Sequence, residues 1–173
     1  MRIALFGDFA PTKGVKDACT TYELGSIDLA ITNLETPVTK MLKCRPKAGP
    51  SLYGDKKITA EYIDTKFVIN LANNHIMDNG VAGYQRTKDV LEKAGIKVID
   101  KSTIIKAKDY EFEVYNFTTH INQDTPEDIK KEISHLYKTA AAGVDFNIAF
   151  AHWGGQYTEV ETKEQIEMAK ELK

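Results

Sequence analysis

Cysteine is scarce in this chain. Cys19 and Cys44 are the only two among 173 residues, and neither falls in a C-x-x-C or a Cys/His zinc spacing. That excludes a disulfide framework and a structural zinc of the common kind, and leaves two free thiols. Long hydrophobic runs are missing as well: no stretch of 18 apolar residues occurs, so none qualifies as a transmembrane helix. The apolar run at residues 3–6 is too short for the h-region of a signal peptide and is followed by Gly7 and Asp8. An excess of either charge is absent too. With 23 basic against 25 acidic side chains the formal net charge is −2, which argues against broad binding to nucleic acid or anionic membrane. Lys40, Lys43, Arg45 and Lys47 form a local basic patch, open to reading as a solvated loop or as an attractor of anions. What remains, 42% hydrophobic and 28% charged residues without repeats, is an ordinary globular composition. The chain is expected to form a single domain over residues 1–173, to bury roughly two thirds of its unfolded surface, and to be cytoplasmic as given, without direct membrane insertion.

Short apolar runs bounded by turn residues recur at 2–6, 29–32, 66–71, 96–99 and 146–151 and predict buried strands. Helical spacing lies between them at 13–24, 58–63, 81–94 and 126–141. In the third of these, Tyr84, Thr87, Leu91 and Ala94 share a stripe, Asp78 or Asn79 with Gly80 precede the helix, and Gly95 follows it. The alternation predicts an α/β layer fold with a largely parallel sheet. Residues 102–117 break the pattern, because their apolar positions straddle Lys108 and Asp109 as a hairpin does. Residues 40–50, with Pro46, Gly49 and Pro50, read as a loop insertion. Near the end, Ile166, Ala169 and Leu172 are expected to share one helix face.

Polar residues cluster where the strands are expected to end: Gly7 and Asp8; Asn33 and Glu35; Asn73, Asn74, His75 and Asp78; His152 and Trp153. In open α/β sheets ligands bind outside the carboxyl ends of the strands, so four such endings are candidates for one cleft. Asp8 and Glu35 offer hard oxygen ligands, Asn74 a carbonyl oxygen, and His75 and His152 imidazole nitrogens suited to zinc, iron or manganese. Such a set fits metal-assisted phosphoester chemistry, with an off-metal imidazole as general acid. Plainer roles stand beside these. Asp8 suits a turn, Glu35 a solvated loop, Asn73 and Asn74 an αL turn, and His152 a backbone-bonded core position. His120 and His135 read as structural, and Gly154 with Gly155 as permissive backbone.

Taken in order, Gly7-Asp8, the N-L-E-T-P run ending at Pro37, the A-N-N-H run at 72–75 with Asp78 and Gly80, and the H-W-G run at 152–154 with Tyr157 resemble the successive signatures of the CapA family of bacterial capsule biosynthesis proteins, relatives of the calcineurin-like metallophosphoesterases. The resemblance implies a layered metallophosphoesterase-like fold and a role in making or anchoring an anionic capsule polymer, typically poly-γ-glutamate, with envelope association through an anchor. By that resemblance Asp8, Glu35, Asn74 and His152 are metal ligands for manganese, iron or zinc. His75 is the catalytic imidazole and Asp78 either orients it or caps the next helix. Asn33, Asn73, Trp153 and Tyr157 bind substrate or shape the cleft. Expected partners are an anionic polymer or small anionic substrate, a second copy of the chain, or capsule-synthesis proteins.

The sequence also departs from the wider pattern. Ala10 stands where the usual D-x-H places a histidine, and the chain ends at Lys173 before the G-H-H-P-H element of CapA relatives, so the domain is expected to be C-terminally truncated. Three readings follow: a capsule-biosynthesis protein with a cleft descended from a dinuclear site, a metal-dependent phosphoesterase-like hydrolase completed by another chain, and a metal-free anion-binding or assembly module.

Overall fold

A computed structural model describes residues 1–11, 27–39, 51–54, 63, 66–99, 102–118, 143–153 and 160–171. The helices expected at 13–24 and 126–141, nearly all of that at 58–63, both cysteines, the basic patch, His120, His135, the glycine pair at 154–155 and Tyr157 lie outside these residues. The chain divides into two compact units, Met1–Asp100 and Lys101–Lys173.

The first unit is built on four parallel strands in the order β1-β2-β3-β4: β1 Ile3–Phe9, β2 Leu29–Leu34, β3 Phe67–Asn70 and β4 Lys97–Ile99. Central strands of a parallel sheet are covered on both faces and read as continuous apolar runs. Accordingly every residue of β2 and β3 is buried. β1 extends beyond its apolar run. A register shift between Leu5 and Asp8 brings Asp8 opposite Asn33 and Phe9 opposite Leu34. Asp8 therefore lies inside a bulged strand rather than in the loop expected after it, an irregularity that re-aims a side chain.

Helix α1, Gly80–Lys93, follows β3 and turns Gly83, Thr87 and Leu91 inward. Thr87 Oγ1 donates to Gly83 O at 2.8 Å and accepts from Val38 N at 2.9 Å, tying the helix to the segment after β2. The helix ends in a Schellman motif. Gly95, at φ 75°, donates to Glu92 O at 2.9 Å, and Ile96 N reaches Leu91 O at 3.0 Å, with Leu91 and Ile96 both buried. Ala94, expected on the buried stripe, is instead the exposed C-cap, because the helix has already closed one residue earlier.

The second unit carries β5 Ser102–Ala107, β6 Tyr110–Thr118 and β7 Phe146–His152, ordered β5-β6-β7. β5 and β6 form the expected antiparallel hairpin, with Ala107 opposite Tyr110 and Lys108 at φ 54° in the turn. β7 runs parallel to β6, so the last apolar run belongs to this mixed sheet and not to the four-stranded one. Helix α2, Lys163–Glu171, opens on a capping box. Thr162 Oγ1 accepts from Gln165 N at 3.2 Å while Thr162 N donates to Gln165 Oε1 at 2.7 Å. Its inward residue is Met168, packed in one cluster with Phe117, Ala151 and Trp153. Ile166 and Ala169, expected to share one face with Leu172, which lies outside the described residues, are exposed, since they lie on other sides of the helix from Met168. Among the described residues no helix is long and apolar enough to cross a membrane.

Candidate functional site

Strand β2 ends on Asn33 and Leu34, and the next residue is Glu35. Asn33 is 1% exposed, so each of its polar atoms needs a partner. Both hydrogens of Nδ2 are engaged by carboxylates, Asp8 Oδ1 at 2.7 Å and Glu35 Oε2 at 2.6 Å. Its Oδ1 accepts from Asn70 Nδ2 and from Asn73 Nδ2, each at 3.0 Å. Four bonds fill the capacity of a carboxamide. They also fix its orientation, because a flipped amide would aim oxygen at two carboxylates and hydrogen at two donors.

The two carboxylates are thereby drawn together. Ligand-type oxygens of Asp8 and Glu35 lie within 4.8 Å of each other, Asp8 exposed and Glu35 8% exposed. At an effective dielectric of ~20, two full charges ~5 Å apart repel by ~3 kcal/mol, and a cation between them removes that repulsion. Hard oxygens in this disposition fit a divalent ion.

A second cluster hangs from the same asparagine. Asn73 donates to Leu34 O at 2.8 Å as well as to Asn33, and its Oδ1 accepts from His75 N at 3.0 Å and Ile76 N at 2.8 Å. This Asx-type turn, formed where β3 has ended, fixes the backbone that carries His75. His75 Nδ1 lies 2.8 Å from Asp78 Oδ2. An ionised carboxylate only accepts, so Nδ1 carries the hydrogen and a ligand would exchange a proton through Nε2. Asp78 is 2% exposed and also accepts from Leu52 N at 2.6 Å. Of its two expected roles, the contact it makes is with His75. The N-cap of α1 is Asn79, which has no side-chain cap bond and instead donates to Leu52 O at 3.4 Å.

The strap at 51–54 thus holds the turn bearing His75, and its far end holds the segment bearing Glu35. Gly54 N donates to Pro37 O at 2.8 Å, and Gly54 bridges Val38. A Cβ at Gly54 would stand 2.7 Å from Thr36 Oγ1 and 3.2 Å from Pro11 Cγ, so only glycine lets the strap pass this close. Thr36 Oγ1 itself is buried and has no hydrogen-bond partner among the described residues.

Within the first unit, then, Asp8, Asn33, Glu35, Asn73, His75 and Asp78 belong to one hydrogen-bonded set, and Asn74 sits half-buried in the same turn as His75. His152 is the last residue of β7 in the second unit. Trp153 follows it and packs edge-on against Phe117, with ring centroids 5.3 Å apart. Sequence reasoning missed Asn70, although a lone amide closing the apolar run Phe67-Val68-Ile69 is the same signal that marked Asn33. It also missed Leu52, which acts through its backbone and leaves no mark on the sequence.

No curated protein matches the chain. The sequence model of one family, described as the bacterial capsule synthesis protein PGA_cap, matches residues 6–101, more than half of the chain, from within β1 through β4 and with every residue of this set included. The chain belongs to that bacterial capsule synthesis family.

Proposed function

We propose that the chain acts in the synthesis or anchoring of an anionic capsule polymer at the bacterial envelope, through a cleft that descends from a metallophosphoesterase site and takes a divalent cation on Asp8 and Glu35. The observation that carries this reading is the pair of carboxylates held by one buried amide and joined through it to the His75–Asp78 pair. Asp8 and Glu35 would hold the ion, with the Asn74 carbonyl as a neutral ligand. The family resemblance assigns His152 a ligand role as well, which His152→Ala tests by itself. Manganese, iron and zinc all suit oxygen and imidazole donors. When bound, such a cation supplies Lewis-acid polarisation of an anionic oxygen. The protein's own part is positional and protonic. Asp78 holds the His75 ring by Nδ1, which leaves Nε2 to give a proton to a leaving oxygen or take one from an attacking group. Asn33 and Asn73, buried and engaged within the protein, hold these groups in place rather than touching substrate.

A second reading, a metal-free module that binds the polymer without turnover, is favoured by Ala10, which offers no ligand two positions beyond Asp8. Turnover separates the two. The manganese-loaded chain is assayed against phosphomonoesters and phosphodiesters beside His75→Asn. Hydrolysis by the wild type that drops at least ~100-fold in the variant, with metal content kept, supports the site as proposed. Hydrolysis that survives His75→Asn removes His75 from the chemistry, and polymer binding with no hydrolysis by either protein selects the module.

A further inference from the structure

We infer that Asn33 is the positioning residue on which the whole site is registered: one carboxamide sets the spacing of the carboxylate pair and locks that pair to the turn bearing His75. The inference rests on the reading of Asp8 and Glu35 as a cation site, but the wiring behind it is geometric. Asn33 Nδ2 reaches Asp8 on β1 and Glu35 after β2, while Asn33 Oδ1 receives Asn70 at the end of β3 and Asn73 just beyond it. Three consecutive strands of a parallel sheet therefore meet on one side chain. Asn73 continues the path, because the same amide that donates to Asn33 presents its oxygen to the backbone N–H groups of His75 and Ile76. The two bonds arriving at the Asn33 oxygen also polarise the amide and strengthen its donation to the two carboxylates.

Glutamine is too long for this place and leucine or alanine lacks both functions. Aspartate is the informative replacement, since it keeps the shape and the acceptor but turns the donor facing Asp8 and Glu35 into a third oxygen. Asn33 and Asn73 thus have separable duties. Asn33 serves both halves of the site, and Asn73 serves the His75 turn alone.

The test uses the full chain and two readouts that need no turnover: manganese affinity, from the paramagnetic resonance signal of unbound Mn(II), and hydrogen exchange at the His75 and Ile76 amides. In Asn33→Ala, manganese binding should weaken at least ~10-fold and both amides should exchange at least ~10-fold faster, each near the loss of one buried hydrogen bond. In Asn73→Ala the amides should exchange faster by a similar factor while manganese affinity stays within ~3-fold. A folded Asn33→Ala protein that keeps both values overturns the inference. Should that variant fail to fold, Asn33→Asp decides. It should retain amide protection, yet melt below the wild type in chelator and regain stability when manganese is added. Melting of Asn33→Asp at the wild-type temperature in chelator would show that the amide contacts carry no weight and would overturn the inference. If the wild type itself binds no manganese, the cation reading fails by that result, and the exchange data still decide whether Asn33 ties the turn to the strands.

Discussion

The two sheets bury polar side chains in opposite ways. In the parallel sheet the buried amides and Glu35 stand at strand ends, and their hydrogen bonds run from strand to strand toward Asp8, which is exposed, and His75, which is half-buried. In the mixed sheet the buried carboxylate, Glu113, lies in mid-strand and is enclosed by hydroxyls. Ser102 Oγ donates to Glu113 Oε1 at 2.7 Å, and Tyr115 Oη donates to Oε2 at 2.6 Å with Asn147 Oδ1 a second acceptor at 3.3 Å. A network that ends on exposed charge is poised for a ligand, whereas the bonds from Ser102 on β5 to Glu113 and from Tyr115 on β6 to Asn147 on β7 tie strands together and serve the fold. Apolar exposure follows the strand rather than the sheet. Every residue of β2 is buried, while Leu5 on β1 is 61%, Ile104 on β5 53% and Phe146 on β7 49% exposed.

The largest effect should come from the strand that anchors the site. Ile31→Ala removes a fully buried side chain from β2 and should lower stability by ~2–5 kcal/mol, while Ile104→Ala on β5 should change it by less than ~0.5 kcal/mol. Denaturant midpoints for the two variants check this, and equal losses would break the comparison between β2 and β5. A smaller effect, with an unusual sign, belongs to Gly83→Ala. Alanine normally improves a helix interior by up to ~1 kcal/mol, but here its Cβ would stand 2.5 Å from Asn79 Cβ, so thermal melts should show a loss of ~1–3 kcal/mol. The smallest effect concerns the Glu113 cluster. Burial first, and then the hydrogen bond and charge of Glu113, push the Tyr115 phenol well above its ordinary range. Above pH ~10 the unfolded phenol ionises while the folded one keeps its proton, so stability is whole below that pH and falls as pH rises beyond it. Tyr115→Phe should lose about 1 kcal/mol at neutral pH and show a shallower decline above pH ~10, read from melting temperature against pH.

Much of this architecture was legible in the sequence because apolar runs ending in polar clusters encode both strands and their ends. That logic gave the five runs, the hairpin across Lys108 and Asp109, the helix ended by Gly95, and the residues around Asn33 and His75. It did not give pairing. The run at 146–151 looks like any buried parallel strand, and nothing in its pattern says that its neighbour is β6. Nor did it give the register shift that draws Asp8 into β1, since a bulge depends on how two strands align and not on one strand's composition. The roles of the asparagines were hidden for another reason. A side chain that touches a ligand and one that holds the side chains that do have the same chemistry, and only burial and bond count separate them. On α2, Ile166 and Ala169 suggested one face, but the aromatic surface of Phe117 and Trp153 takes Met168, a residue type whose flexible thioether adapts to such surfaces.

The most direct measurement is the metal content of the purified chain after exposure to manganese, iron and zinc and exhaustive buffer exchange, compared with an Asp8→Ala, Glu35→Ala double variant of the same fold. The account predicts that the wild type retains close to a stoichiometric amount of one of these metals and that the variant retains none. A wild type that keeps no metal, or a variant that keeps as much, would contradict it.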